Sequence, residues 1–156
     1  MNKKDYWIEK LNLVPHFEGG YFRETIRSQE MVPLQGKGEK NLLTCIFFLM
    51  DVSDSVCFRS LTCNEMWLFH YGCRLNVHCL KPQDNSYELV KLGKNLDKGE
   101  VFQCVIERDN IFGATIEKDD EFDFALASIV VAPGFDMNDF KLYPKSMIIR
   151  YVQTTQ

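Results

Sequence analysis

The sequence predicts an all-β fold, a sandwich or barrel of short strands behind one N-terminal helix, and three observations predict it. Short runs rich in β-branched and aromatic residues recur from Asn41 onward, separated by turn residues at about 8–12-residue spacing. No helix-length periodicity interrupts them, which excludes a βαβ parallel sheet. The chain has 156 residues, 46% apolar and 26% charged. That is the size and composition of a single packed domain and unlike a disordered chain.

The elements follow in order. Within Lys3 to Asn12, Trp7, Ile8 and Leu11 recur at helical spacing beside charged residues, so one short amphipathic helix is expected over 3–12. Pro15 and Gly19-Gly20 then end regular structure. The stretch Gln29 to Lys40 is polar, holds Pro33, Gly36 and Gly38, and reads as an exposed loop. Strands are expected near Leu42–Met50, Val56–Leu61, Glu65–His70, Arg74–Leu80, Tyr87–Leu92, Phe102–Glu107, Phe112–Glu117 and Phe124–Val131. Asp136 is placed to cap one helical turn through Phe140. The final apolar run, Ser146 to Val152, fits a strand or a helix equally well, because periodicity does not separate them.

Composition narrows the function. The net charge is −4, and no Lys/Arg cluster offers the basic face that nucleic-acid binding requires. No run approaches the ~20 apolar residues of a membrane span. The N-terminal segment lacks the apolar core of a secretory signal, so a cytoplasmic protein is expected. The six cysteines form no C-x-x-C pair, and most sit among strand-like apolar residues. They are expected to be reduced, buried thiols.

Four blocks carry a more specific signal. The first is PHFEGGYFRET from Pro15 to Thr25. The second, from Ser55 to Gly72, reads SVCFRSLTCNEMWLFHYG. Gly99-Glu100-Val101-Phe102-Gln103 is the third, and Val131-Ala132-Pro133-Gly134-Phe135-Asp136 with Asp139-Phe140 is the fourth. Together they resemble the cupin-5 domain family, a branch of the cupin superfamily. The resemblance implies a double-stranded β-helix, or jelly roll, over about 18–134, with a C-terminal extension over 135–156 in a single domain. It also implies a homodimer paired through its sheets, and a cavity at one end of the roll.

A metal-binding cupin carries two His one residue apart, a Glu, a Gly further on and a later His. Alternate strand residues share a face, which lets two imidazoles converge on one ion. Aligned through Glu65 and Gly72, the first two His positions correspond to Arg59 and Leu61, and the later one to Phe112. A cation, an aliphatic and an aromatic replace three ligands. One remaining carboxylate is too little for a transition-metal site. No tightly held metal is expected, with a divalent metal as the alternative.

The resemblance therefore implies an organic-ligand cavity. Strand parity puts Glu65 and Trp67 on one face, and Arg59 with Leu61 on one face of the preceding strand. Arg59 and Glu65 are expected to meet inside the mouth. Trp67, Gln103 and Phe112 are expected as its walls, and Glu18 and Arg23 as further ligand-binding candidates. An Arg59–Glu65 pair serving only as an internal salt bridge is an equally weighted reading. Two functions follow. One is small-molecule binding, with Arg59 recognising an anionic or hydroxylated ligand. The other is a sugar isomerase- or epimerase-like enzyme in which Glu65 or His16 acts as general base.

Overall fold

The computed structural model describes residues 3–54, 56–144 and 146. It opens with helix α1 (Lys3–Lys10). Trp7, Ile8 and, just past the helix, Leu11 pack on Leu13, Leu49, Phe122, Phe124 and Leu126. The helix stops short of the expected Asn12, which instead takes a left-handed conformation (φ 51°). Asn tolerates that conformation and commonly terminates helices there.

Among the described residues thirteen strands follow: β1 (Val14–Pro15), β2 (Tyr21–Arg27), β3 (Met31–Leu34), β4 (Gly38–Asn41), β5 (Thr44–Asp51), β6 (Val56–Leu61), β7 (Asn64–Gly72), β8 (Arg74–Lys81), β9 (Ser86–Leu92), β10 (Gln103–Ile106), β11 (Ile111–Glu117), β12 (Phe124–Ala132) and β13 (Phe140–Leu142). Two facing sheets run β1-β2-β5-β12-β7-β10 and β13-β6-β11-β8-β9. Neighbours are antiparallel and drawn from distant parts of the chain, as in β12 between β5 and β7. This is the all-β double-stranded β-helix, with one short N-terminal helix.

Alternation fills the space between the sheets. Phe48, Met50, Trp67 and Ala127 meet Leu75, Val77, Phe112 and Ala114 in one core. Each large apolar side chain fully buried there contributes roughly 1.5–3 kcal/mol. The opposite parity of the larger sheet faces outward, where α1 covers one end.

The structure adds strands that the sequence reading did not expect. Gln29 to Lys40 is no loop: β3 and β4 form a hairpin within it, closed through Gly36 and Gly38. Pro33 is tolerated because a two-stranded ribbon leaves it an edge position. The strand β2, whose alternation is masked by Arg23, Glu24 and Arg27, was not expected. Nor was β13, which pairs Phe140 with Leu61 and Leu142 with Arg59. The expected turn at Asp136 is present as Met137–Asp139, with Asn138 N donating to Asp136 Oδ1 at 2.8 Å. The Ser146–Val152 run lies outside the described residues apart from Ser146. No helix among the described residues is long and apolar enough to cross a membrane, and all six cysteines are free thiols, but against expectation only Cys63, Cys73 and Cys79 are buried and Cys57 is exposed.

Candidate functional site

A cavity of about 230 Å³ opens between the two sheets, and its polar groups come from several parts of the chain. The first is the turn between β1 and β2. His16 N donates to Gly20 O, and Gly19 N donates back to His16 O. Gly20 holds a left-handed φ of 72°, and a Cβ there would sit 2.5 Å from Leu49 O. The turn thus closes tightly against β5 and carries Glu18 into the cavity wall.

Glu18 meets Arg59 of β6, whose Nη1 lies 2.6 Å from Glu18 Oε2. Both side chains are more than nine-tenths buried. The guanidinium lies 5.0 Å from the centre of the Phe112 ring, its directly opposed residue on β11. Such a stack adds cation–π attraction to the ion pair. Glu18 Oε1 is buried with no protein partner. Burial pushes the Glu18 carboxyl above its usual range, and Arg59 opposes that shift.

Glu65 of β7 completes the centre. Its Oε1 accepts from Trp67 Nε1 at 2.5 Å, two residues along the same face. Burial pushes its pKa up. Arg59 and the indole N–H oppose the shift, and the Glu18 charge adds to it. His16 packs edge-on to Phe22 and Phe48 and stacks on Phe17. Burial and then the Arg59 charge hold its pKa down to about 4. Glu18 N donates to His16 Nδ1 at 3.2 Å. The neutral ring therefore carries its proton on Nε2.

A bulge in β2 builds the mouth. Register passes from Glu24↔Ile46 to Ile26↔Cys45 and Arg27↔Thr44. The extra residue puts Glu24 and Arg27 on the cavity side together, where simple alternation would have placed Ile26. Arg27 grips Glu24 through two bonds of 2.9 and 3.0 Å and donates to Phe135 O at 3.0 Å. Phe135 and Phe140 close the apolar rim.

Of the sequence candidates, His16, Glu18, Arg59, Leu61 and Glu65 line this cavity. Four expected positions differ. Trp67 is fully buried behind Glu65 as its hydrogen-bond donor rather than a wall. Phe112 lies behind Arg59. Gln103 pairs directly with Leu68, whose parity is opposite to Glu65 and Trp67, so it faces outward. Arg23 pairs with Phe47 on the same outer face, its guanidinium 5.7 Å from that ring. The expected Arg59–Glu65 contact is replaced by Arg59–Glu18. Strand parity had no means of placing Glu18, which sits in a turn. Sequence reasoning missed Arg27 and the aromatic rim of Phe17, Phe135 and Phe140. The block around Phe135 and Phe140 was visible, but no periodicity tied it to the cavity.

The donor set does not fit the ion site of metal-binding cupins. A guanidinium repels a divalent cation, and Leu61 and Phe112 have no lone pair to offer. Among the described residues, no three His, Cys, Asp or Glu side chains are grouped to hold a metal.

Comparison with known proteins agrees with this architecture. The family described as Cupin superfamily (DUF985) matches residues 5–143. The uncharacterized protein YML079W of Saccharomyces cerevisiae is 29% identical over 152 residues, covering 85% of this chain and 71% of the yeast protein. A hypothetical protein from Leishmania major superimposes with a TM-score of 0.87 at 30% identity, over 98% of this chain and 94% of that one. Protein SO0799 from Shewanella oneidensis gives 0.83 at 31% identity, over 99% and 93%.

Proposed function

This chain belongs to the DUF985 family of the cupin superfamily, and on that premise we propose that it binds a small organic molecule between its sheets without a tightly held metal ion. One observation carries the reading: Glu18, Arg59, Glu65 and His16 converge on a single cavity whose remaining wall is mostly apolar. Apolar walls with a few convergent polar groups are the usual make-up of a small-ligand site. A buried carboxylate oxygen without a protein partner, Glu18 Oε1, supports it further, since such a group is costly unless a ligand or water satisfies it.

A second reading is proton-transfer catalysis on a sugar-like substrate. It is favoured by the raised pKa of Glu65, the direction a general base or acid at neutral pH requires. Thermal-shift screening of a metabolite panel against wild type, Arg59→Ala and Glu65→Gln separates the two. A ligand that stabilises wild type, is lost in the variants and is never turned over supports binding. Turnover abolished by Glu65→Gln supports catalysis instead. Stoichiometric zinc, iron or manganese in the purified protein overturns the metal-free reading.

The same proposal includes a homodimer. Phe47, Met66, Leu68 and Val130 share the outer face of the larger sheet beyond α1, and all are half-buried rather than covered. A second copy of that face would complete their burial.

A further inference from the structure

The cavity's charges do not favour the anionic ligand that Arg59 suggests from sequence. Arg59 is already paired with Glu18 and stacked on Phe112. Arg27 is likewise held by Glu24 through two bonds. Three carboxyl groups, Glu18, Glu24 and Glu65, face two guanidinium groups, Arg27 and Arg59, across this one space. His16 adds no positive charge near neutral pH, because its pKa is held to about 4. With both guanidinium groups paired, Glu65 shares only the Arg59 charge already held by Glu18, and Glu18 Oε1 has no hydrogen-bond donor. Both are acceptors when ionised, so what the cavity lacks is a positively charged N–H donor. Phe22, Phe135 and Phe140 line the same space, and aromatic faces attract a cation that carboxylates also attract.

Size limits the rest of the molecule. A 150 Å³ apolar cavity accepts benzene, so the volume here accommodates roughly nine non-hydrogen atoms.

Resting on the small-molecule reading above, we propose that the ligand is a protonated primary or secondary amine with a compact apolar body, its ammonium donating to Glu18 Oε1 and the Glu65 carboxylate. A quaternary ammonium lacks the N–H that Glu18 Oε1 requires. When Glu65 is protonated in the empty cavity, entry of the ammonium displaces that proton to solvent, so charge is conserved.

The test is calorimetric titration of the full chain with three ligands of nearly equal shape: 2-phenylethylamine, 2-phenylethanol and phenylacetate. The amine is expected to bind roughly tenfold or more tightly than the alcohol, as a hydrogen bond to a charged group contributes about 1.5–3 kcal/mol. Phenylacetate is expected not to bind. Glu65→Gln, which keeps an oxygen to accept from Trp67, is expected to erase the preference for amine over alcohol. The ligand comparison on wild type stands even if that variant fails to fold. Equal or tighter binding of the alcohol or phenylacetate overturns the amine assignment while leaving the cavity a ligand site. Failure of all three to bind also overturns it. If the metabolite panel is blank as well, the small-molecule reading falls with it.

Discussion

Arg59 Nη1 lies 2.6 Å from Glu18 Oε2 with both side chains almost wholly enclosed, so a turn before β2 is tied by charge to a strand of the opposite sheet. Removing one partner leaves the other charge buried and uncompensated. Arg59→Ala is expected to cost about 3–5 kcal/mol in chemical denaturation. The double replacement Glu18→Gln with Arg59→Met is expected to recover much of that loss. A single replacement costing no more than an ordinary surface change would refute the pairing.

His16 gives a pH dependence with a definite sign. Its folded pKa, about 4, lies below the 6.5 of an unperturbed imidazole, so between these values the unfolded chain binds more protons than the folded one. Its contribution is complete above the unfolded pKa and is lost as pH falls from 6.5 toward 4. Glu18 and Glu65 act oppositely: their raised folded pKa values remove stability as pH rises above 4.5. His16→Phe is therefore expected to flatten the acid loss of stability while leaving the opposing slope. Nitrogen NMR of the wild type at neutral pH should show an Nε2–H tautomer that persists until pH approaches 4.

Gly20 separates backbone strain from simple steric freedom. Gly36 also has a left-handed φ, 76°, but a Cβ there meets nothing within 4 Å. Gly36→Ala is expected to cost about 1–2 kcal/mol, the conformational penalty alone. Gly20→Ala adds a collision with Leu49 O and is expected to cost distinctly more. Because the same turn carries Glu18, ligand binding should weaken in Gly20→Ala and stay unchanged in Gly36→Ala.

The outer face of the larger sheet makes the homodimer testable. Val130→Glu places a charge among Cys45 and Met66, its neighbours on either side. Light scattering after size exclusion is expected to show a dimer for wild type and a monomer for the variant, with the far-ultraviolet spectrum unchanged. A wild-type monomer at high concentration would remove the dimer from the proposal.

The sequence by itself determined the fold class, most of the strands and which side chains share a face on β6 and β7. Those follow from local rules: alternation assigns Arg59 and Leu61 to one side, and Glu65 and Trp67 to one side, whatever they touch. The resemblance to metal-binding cupins added the expectation that Arg59, Leu61 and Phe112 stand where such proteins carry ligands. Only the tertiary structure decided who meets whom. Arg59 pairs with Glu18 because a left-handed glycine turn swings that carboxylate across the sheets, and the turn carries no period to read. Arg27 reaches the mouth because one bulged residue reverses the parity of β2, while Gln103 and Arg23 face outward through register. Contacts between distant segments depend on how turns and bulges aim the strands, and a shift of one residue there exchanges inside for outside.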